Sequence, residues 1–227
     1  MKLVVGNKNY SSWSLRPWLL LREAGIPFEE IAVRLFTPEF DAEIARYSPA
    51  GKVPVLIDGD VHVWDSLAIS EYVAERFPDQ QLWPADAGAR AHARSICAEM
   101  HAGFHQIRNQ LPMNVTAMLP GLGWSVAVQR EVDRVAAIWG GLRQRYGSEG
   151  PFLFGAFTVA DAFYAPVVSR FATYGIHLPE DAKAYADFIL ARPAMQEWAA
   201  GARAERDFVV ADEPYRTRPD RDDAIIL

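Results

Sequence analysis

The sequence predicts an α/β region followed by an all-helical one, and three observations carry that reading. Between Leu3 and Phe77, short apolar runs and helical patterns follow in the order strand, helix, strand, helix, strand, strand, helix. Beyond residue 88 each apolar pattern keeps helical spacing. Pro78-Asp79-Gln80-Gln81-Leu82-Trp83-Pro84 lies between the two as a linker. The expected divisions are 1–78 for the first domain, 79–87 for the linker, 88–210 for the helical domain and 211–227 for a charged tail.

Leu3 to Val5 reads as a short buried strand ended by Gly6, and residues 7–12 are polar and turn-like. Ser14-Leu15-Arg16-Pro17 opens a helix, since proline is tolerated in a first turn. Trp18 to Leu21 continue that helix, and Gly25 with Pro27 stop it. Phe28 to Leu35 alternates as a second strand, and Asp41 to Tyr47 suggests a short helix. Val53 to Ile57 and Val61 to Trp64 flank Asp58-Gly59-Asp60, a hairpin signal, and Ser66 to Phe77 forms the next helix.

In the second region, residues 88–111 place Ile96, Met100, Phe104, Ile107 and Leu111 on one helical face. Residues 125–146 repeat this with Val128, Val132, Val135, Ile138, Trp139 and Leu142. Thr158-Val159-Ala160-Asp161 is a capping-box pattern before an apolar helix. Pro179 to Leu190 and Pro193 to Ala202 supply two more helices, after which the chain becomes charged and is expected to lie on the surface or fray.

Composition narrows the function. The chain of 227 residues carries 23 basic and 29 acidic side chains, a formal net charge of −6. With no basic face, nucleic-acid binding is not expected. Neither a signal peptide nor a membrane span is evident, and the single Cys97 suits a reducing cytoplasm. Cys97 is expected to be a packed small hydrophobe, which disfavours disulfide chemistry. His101 and His105 stand four apart with Glu99 near. No third ligand at a suitable spacing accompanies them, so no metal site is expected and a cleft-lining or interface role is.

Two segments suggest chemistry. Lys52-Val53-Pro54-Val55-Leu56-Ile57-Asp58-Gly59 puts a proline at a strand start, where a turned backbone, cis or not, leaves a neighbouring amide free for a ligand. Trp64-Asp65-Ser66-Leu67-Ala68-Ile69 follows, offering a carboxylate, a hydroxyl and helix-terminal N–H groups. Together these suit a peptide-like ligand carrying both an amine and a carboxylate. In Asn7-Lys8-Asn9-Tyr10-Ser11-Ser12-Trp13-Ser14, a thiolate would meet hydroxyl donors and a positive helix end. Read alone, these serines cap the helix, Ser66 caps another, and Lys52 is solvated.

With these motifs the chain resembles the cytosolic glutathione transferases over nearly its whole length. The resemblance implies a thioredoxin-like first domain, an all-helical second domain, a homodimer, and glutathione as co-substrate of a cytoplasmic detoxifying enzyme. Ser11-Ser12-Trp13-Ser14-Leu15-Arg16 is similar to the Ser-Ser-Cys-x-x-Arg signature of the zeta class, with Trp13 in place of the cysteine. The match puts Ser11 on the thiol-activating serine, with Ser12 and Tyr10 as alternatives. The spacing from Ser11 to Gly25-Ile26-Pro27-Phe28 also suits a serine-type member. Ser48-Pro49-Ala50-Gly51-Lys52-Val53-Pro54 departs from the family's Asn-Pro-x-Gly-x-Val-Pro only at its first position. By the same resemblance Val53, beside Pro54, holds the cysteinyl part of glutathione, Asp65 and Ser66 hold the γ-glutamyl end, and Lys52 reaches the glycyl carboxylate. Met100, Phe104, Met113 and Trp124, with Phe171, are candidates for an apolar pocket receiving an electrophile. The alternatives are a glutathione-dependent cis–trans isomerase and a non-catalytic glutathione-binding protein.

Overall fold

In a computed structural model, which describes residues 1–216, the first seven elements appear in the expected order. They are β1 (Lys2–Val5), α1 (Ser12–Glu23), β2 (Glu29–Ala32), α2 (Phe40–Ile44), β3 (Val55–Asp58), β4 (Val61–Trp64) and α3 (Ser66–Arg76). The sheet order is β2-β1-β3-β4. β1 and β2 are parallel, joined by the α1 crossover, whereas β1–β3 and the β3–β4 hairpin are antiparallel. β2 is shorter than the Phe28–Leu35 alternation suggests, because Val33 turns inward with Val4, Ile44 and Val55 in a small separate core. β3 begins two residues late, after the cis Val53–Pro54 bond.

The helical part comprises α4 (Ala87–Ala102), α5 (His105–Gln110), α6 (Val126–Tyr146), α7 (Val159–Thr173), α8 (Glu180–Leu190) and α9 (Pro193–Ala204). All six apolar residues read from the α6 pattern are buried. α7 is buried almost throughout, and α1, α4 and α8 pack around it. Its contact with α1 is the largest between the two halves, and Trp18 on α1 meets Trp198 on α9 edge-on, 5.1 Å between centroids.

The helix expected over 88–111 is two helices. Gly103 leaves the helical region and Phe104 is left-handed at φ 57°. The break is held from both sides. Arg108 Nε donates to the Gly103 carbonyl at 2.9 Å and its Nη2 donates to the Met100 carbonyl. Glu131 on α6 accepts from the Gln106 and Ile107 N–H groups at 3.2 and 2.8 Å, capping α5. A Cβ on Gly103 would sit 2.9 Å from the Glu99 carbonyl oxygen, so the position suits glycine. His101 and His105 consequently stand on different helices.

The stretch after α9 does not fray. Glu205 accepts from the Lys8 and Asn9 N–H groups at 2.8 and 3.3 Å, and Asn7 donates to Asp207 at 2.9 Å. Glu213 is buried against Tyr10 and Asn114. Residues 205–216 therefore strap the loop between β1 and α1. Of the tail expected at 211–227, residues 217–227 lie outside the described residues.

The capping box at α7 is present, with Asp161 fully buried. Its carboxylate accepts from the Leu153 and Thr158 N–H groups at 3.0 and 2.9 Å, and from the Thr158 and Tyr185 hydroxyls at 3.2 and 3.1 Å. Asp161→Ala leaves those buried donors unpaired. The expected cost is about 3–5 kcal/mol. In a protein of this size that lowers the melting temperature by roughly 10 °C. Scanning calorimetry reads the shift, and an unchanged melting temperature would contradict this account of the cap.

Candidate active site

Two cavities that share lining residues adjoin each other, one within the first half of the chain and one between the halves. The first, about 420 Å³, is lined by Trp13, Ala50, Lys52, Val53, Pro54, Trp64, Asp65 and Ser66. The second, about 520 Å³, is lined by Tyr10, Ser11, Ser12 and Trp13, by Leu35, Phe36, Phe40, Pro112 and Met113, and by Arg108, Arg170 and Asp212, among others. Trp13, Lys52 and Val53 border both. The turn of Ser48 to Pro54 thus meets the β4–α3 junction, as its two motifs suggested. Ser48 keeps the turn in place of asparagine, its Oγ accepting from the Lys52 N–H at 3.3 Å.

Asp65 caps α3, its Oδ1 accepting from the Leu67 and Ala68 N–H groups at 2.8 and 3.5 Å. Its backbone is left-handed, φ 75° and ψ 134°, a costly conformation for a residue with a Cβ. Such strain concentrates at functional positions, and Asp65 lines the first cavity. Ser66, also buried, follows at the first turn of α3.

Ser11 is the N-cap of α1, its Oγ accepting from the Ser14 N–H at 3.3 Å and donating to Ser14 Oγ at 2.8 Å. Ser14 Oγ in turn accepts from the Gly6 N–H at 3.0 Å. So Ser11 caps the helix while standing on the wall of the second cavity, and its hydroxyl proton can rotate toward a ligand. Ser12 stands on the same wall and accepts from Arg170 Nη2 at 3.2 Å. Tyr10 is committed elsewhere. Its hydroxyl donates to Glu213 at 2.8 Å, and burial together with that carboxylate pushes its pKa up to about 12. A phenol so held is a poor donor to a thiolate.

The pocket residues read from the sequence separate. Met113 lines the second cavity. Met100, Phe104 and Phe171 are buried in the core instead, Phe104 where the chain turns after Gly103 and Phe171 tilted against Trp139 at 5.7 Å between centroids. Trp124 is exposed, its Nε1 donating to Gln129 at 3.2 Å. Cys97 is buried in α4, and burial raises its thiol well above the ordinary range. Glu99 turns to Arg134, at 2.7 and 2.8 Å.

Three arginines that the sequence reading left without a role gather here. Arg16 is fully buried, its Nη1 donating to Ser66 Oγ at 3.4 Å and its Nε without a partner. Arg170 is buried on α7, donating to the Leu111 carbonyl at 2.8 Å. Arg108 reaches in from α5. Among the described residues none of the three has a carboxylate within ion-pair distance. Burial, and then their mutual repulsion, lowers the pKa of Arg16 well below the ordinary guanidinium value and that of Arg170 to about 9. Trp13 lies between two of them, 4.3 Å from Arg16 and 4.7 Å from Arg108. The signal for Arg170 was a lone charge inside the apolar run Val167-Val168-Ser169-Arg170-Phe171.

Comparison with known proteins agrees with this arrangement. Residues 10–76 match the glutathione S-transferase N-terminal domain and residues 125–201 the C-terminal domain. A probable maleylacetoacetate isomerase from Caenorhabditis elegans is 32% identical over 163 residues, 69% of this chain and 72% of that one. The holo structure of maleyl pyruvate isomerase, a bacterial zeta-class glutathione transferase, superposes with a TM-score of 0.67 at 25% identity, covering 89% of this chain and 98% of that one. A sphingomonad glutathione S-transferase complexed with glutathione gives 0.64 at 28% identity, over 90% and 98% of the two chains. The chain belongs to the glutathione S-transferase family, with zeta-class character.

Proposed function

We propose that this enzyme binds glutathione in the first cavity and presents its thiolate to an electrophile in the second. The observation that carries the reading is that the two cavities share Trp13, Lys52 and Val53, with Ser11 on the wall of the second. In this placement Asp65 receives the γ-glutamyl amine, and Ser66 with the N-terminus of α3 receives its carboxylate. Val53, next to Pro54, pairs with the cysteinyl backbone, and Lys52 reaches the glycyl carboxylate. Ser11 donates a hydrogen bond to the sulfur and favours its charged form, while the positive end of α1 adds to the effect. Catalysis then comes from an activated thiolate held against its target.

The co-substrate expected from the sequence was largely apolar. Leu35, Phe36, Phe40 and Met113 supply such a wall. Arg108 and Arg170 on the same cavity favour an acidic group on the electrophile as well. That observation favours the isomerase reading: the thiolate adds to a double bond of an unsaturated acid, the bond rotates, and the thiolate leaves again. The similarity to the maleylacetoacetate and maleyl pyruvate isomerases supports the same reading. Parallel rate measurements with a maleyl-type acid and a chloronitrobenzene separate it from conjugation of neutral electrophiles. The maleyl-type acid is expected to be the better substrate by about tenfold or more, since one charge-assisted pair is worth at least that. A protein that turns over neither, although glutathione binds in a calorimetric titration, would be the non-catalytic alternative.

Ser11→Ala is expected to cut the rate near neutral pH by roughly ten- to a hundredfold, since a hydrogen bond to a charged group is worth about 1.5–3 kcal/mol. Glutathione affinity should stay nearly unchanged. Losing the donor raises the pKa of the bound thiol, so activity should partly return as pH rises. Ser12→Ala should do much less. A larger loss and pKa shift at Ser12 would move the role by one residue.

We also propose a two-fold homodimer working in the cytoplasm. Val61 and Trp64 are exposed on the edge strand β4, and Ala91, Ser95 and Ala98 are exposed on α4. An edge strand and a face of small residues suit an isologous contact. Sedimentation at micromolar protein should show the dimer, and a monomer alone would refute it. No helix among the described residues is long and apolar enough to cross a membrane.

A further inference from the structure

We propose that His101, on the last turn of α4, is a positioning residue for the amine end of glutathione. It holds the free oxygen of Asp65 in line with the groove from the opposite side of the cleft. The proposal rests on the placement of the γ-glutamyl end at Asp65 given above.

Asp65 has two carboxylate oxygens with separate tasks. Oδ1 caps α3 through Leu67 and Ala68. Oδ2 lies 3.2 Å from His101 Nε2. A carboxylate oxygen has two lone pairs, so the imidazole takes one and leaves the other for a ligand. The left-handed backbone at Asp65 sets where the carboxylate starts. The imidazole sets where its outer oxygen ends.

The surroundings of His101 fix its ring. Trp13 meets it edge-on at 5.3 Å between centroids, and Phe163 on α7 lies tilted at 6.5 Å. Nδ1 is buried without a partner, which suits a neutral ring with its proton on Nε2. The charged groups facing it are Asp65 from the β4–α3 junction, Arg16 from α1 and Arg108 from α5. Burial lowers the imidazole pKa below its ordinary value. Asp65 opposes that shift, and the two guanidiniums reinforce it. The lowered pKa favours the neutral ring, which donates from Nε2 to Asp65 and leaves the other lone pair of Oδ2 for the ligand's ammonium.

Three thiol probes test the proposal: glutathione, its analogue lacking the γ-glutamyl α-amine, and its analogue lacking the α-carboxylate. For each the KM and kcat are measured with one electrophile, and binding is measured by calorimetry. His101→Phe keeps the ring packing and removes the donor. It should lower the preference for glutathione over the amine-free analogue by about fivefold, a modest share of what one charge-assisted bond supplies. Preference over the carboxylate-free analogue and kcat at saturation should stay near those of the wild type. His101→Gln can place an N–H near the same point and should restore the amine preference to within about twofold. His105→Ala, at an exposed position on α5, should leave every ratio unchanged. An unchanged amine preference in His101→Phe overturns the proposal. So does a parallel fall in both preferences, which would mean general loosening of the site. If the wild-type protein itself shows no preference for the amine, the underlying placement of glutathione fails instead.

Discussion

Helix α1 has to be buried on every side, and the site follows from that constraint. One face closes the small sheet, where Leu15 and Leu19 join Leu3, Val5 and Leu56 in the main core. The other packs on α7, itself without an exposed face except near its end. A helix placed this way brings its N-terminus, with Ser11 and Ser12, against Arg170 at the far end of α7. The hydroxyls that can face a thiolate and the guanidinium that can face an acid thus meet through the packing of two apolar helices. Neither helix carries the cavity alone.

Burying guanidiniums without carboxylates is costly, and the structure spreads that cost over several weak partners. Arg170 uses main-chain carbonyls and Ser12. Arg108 uses the carbonyls freed where α4 breaks. Arg16 has Ser66 and two aromatic faces, Trp13 at 4.3 Å and Phe163 at 4.7 Å. Trp13, where the zeta signature has a cysteine, is the partner shared by Arg16 and Arg108. Tryptophan has the best face for a cation, so the substitution suits a site that gathers positive charge. None of these partners cancels charge as a carboxylate would. Asp212, on the same cavity wall, offsets part of the charge of Arg170 without reaching ion-pair distance, and the remaining guanidinium N–H groups are what an anionic ligand can use.

The same departures from regular structure that obscure the sequence pattern build the site. Gly103 and Phe104 interrupt an apolar repeat that looks continuous, and the interruption turns Arg108 inward. The left-handed Asp65 interrupts the passage from β4 to α3 and lines the first cavity. The strap after α9 reads as a charged tail. Its charges are spent on the N–H groups of the β1–α1 loop and on Tyr10. That contact commits the Tyr10 hydroxyl to Glu213, while Ser11 and Ser12 line the same cavity wall.

Local pattern was enough for the order of the first seven elements, the capping box at Thr158 and Asp161, the six buried residues of α6, and the turn at Val53–Pro54. Each of these depends on neighbours within a few residues, where spacing and capping chemistry act directly. The apolar pocket was less legible. Met100, Phe104 and Met113 share a hydrophobic character, and only the direction of the chain after Gly103 separates core from cavity wall. The signature marked Arg16 and the apolar run marked Arg170 as a lone charge, but their meeting with Arg108 was not legible, because the three lie on helices far apart in sequence. A lone arginine on an apolar helix reads the same whether it ends in solvent or in a cleft. Which of these occurs is decided by what packs beside it, and that is a property of the folded chain.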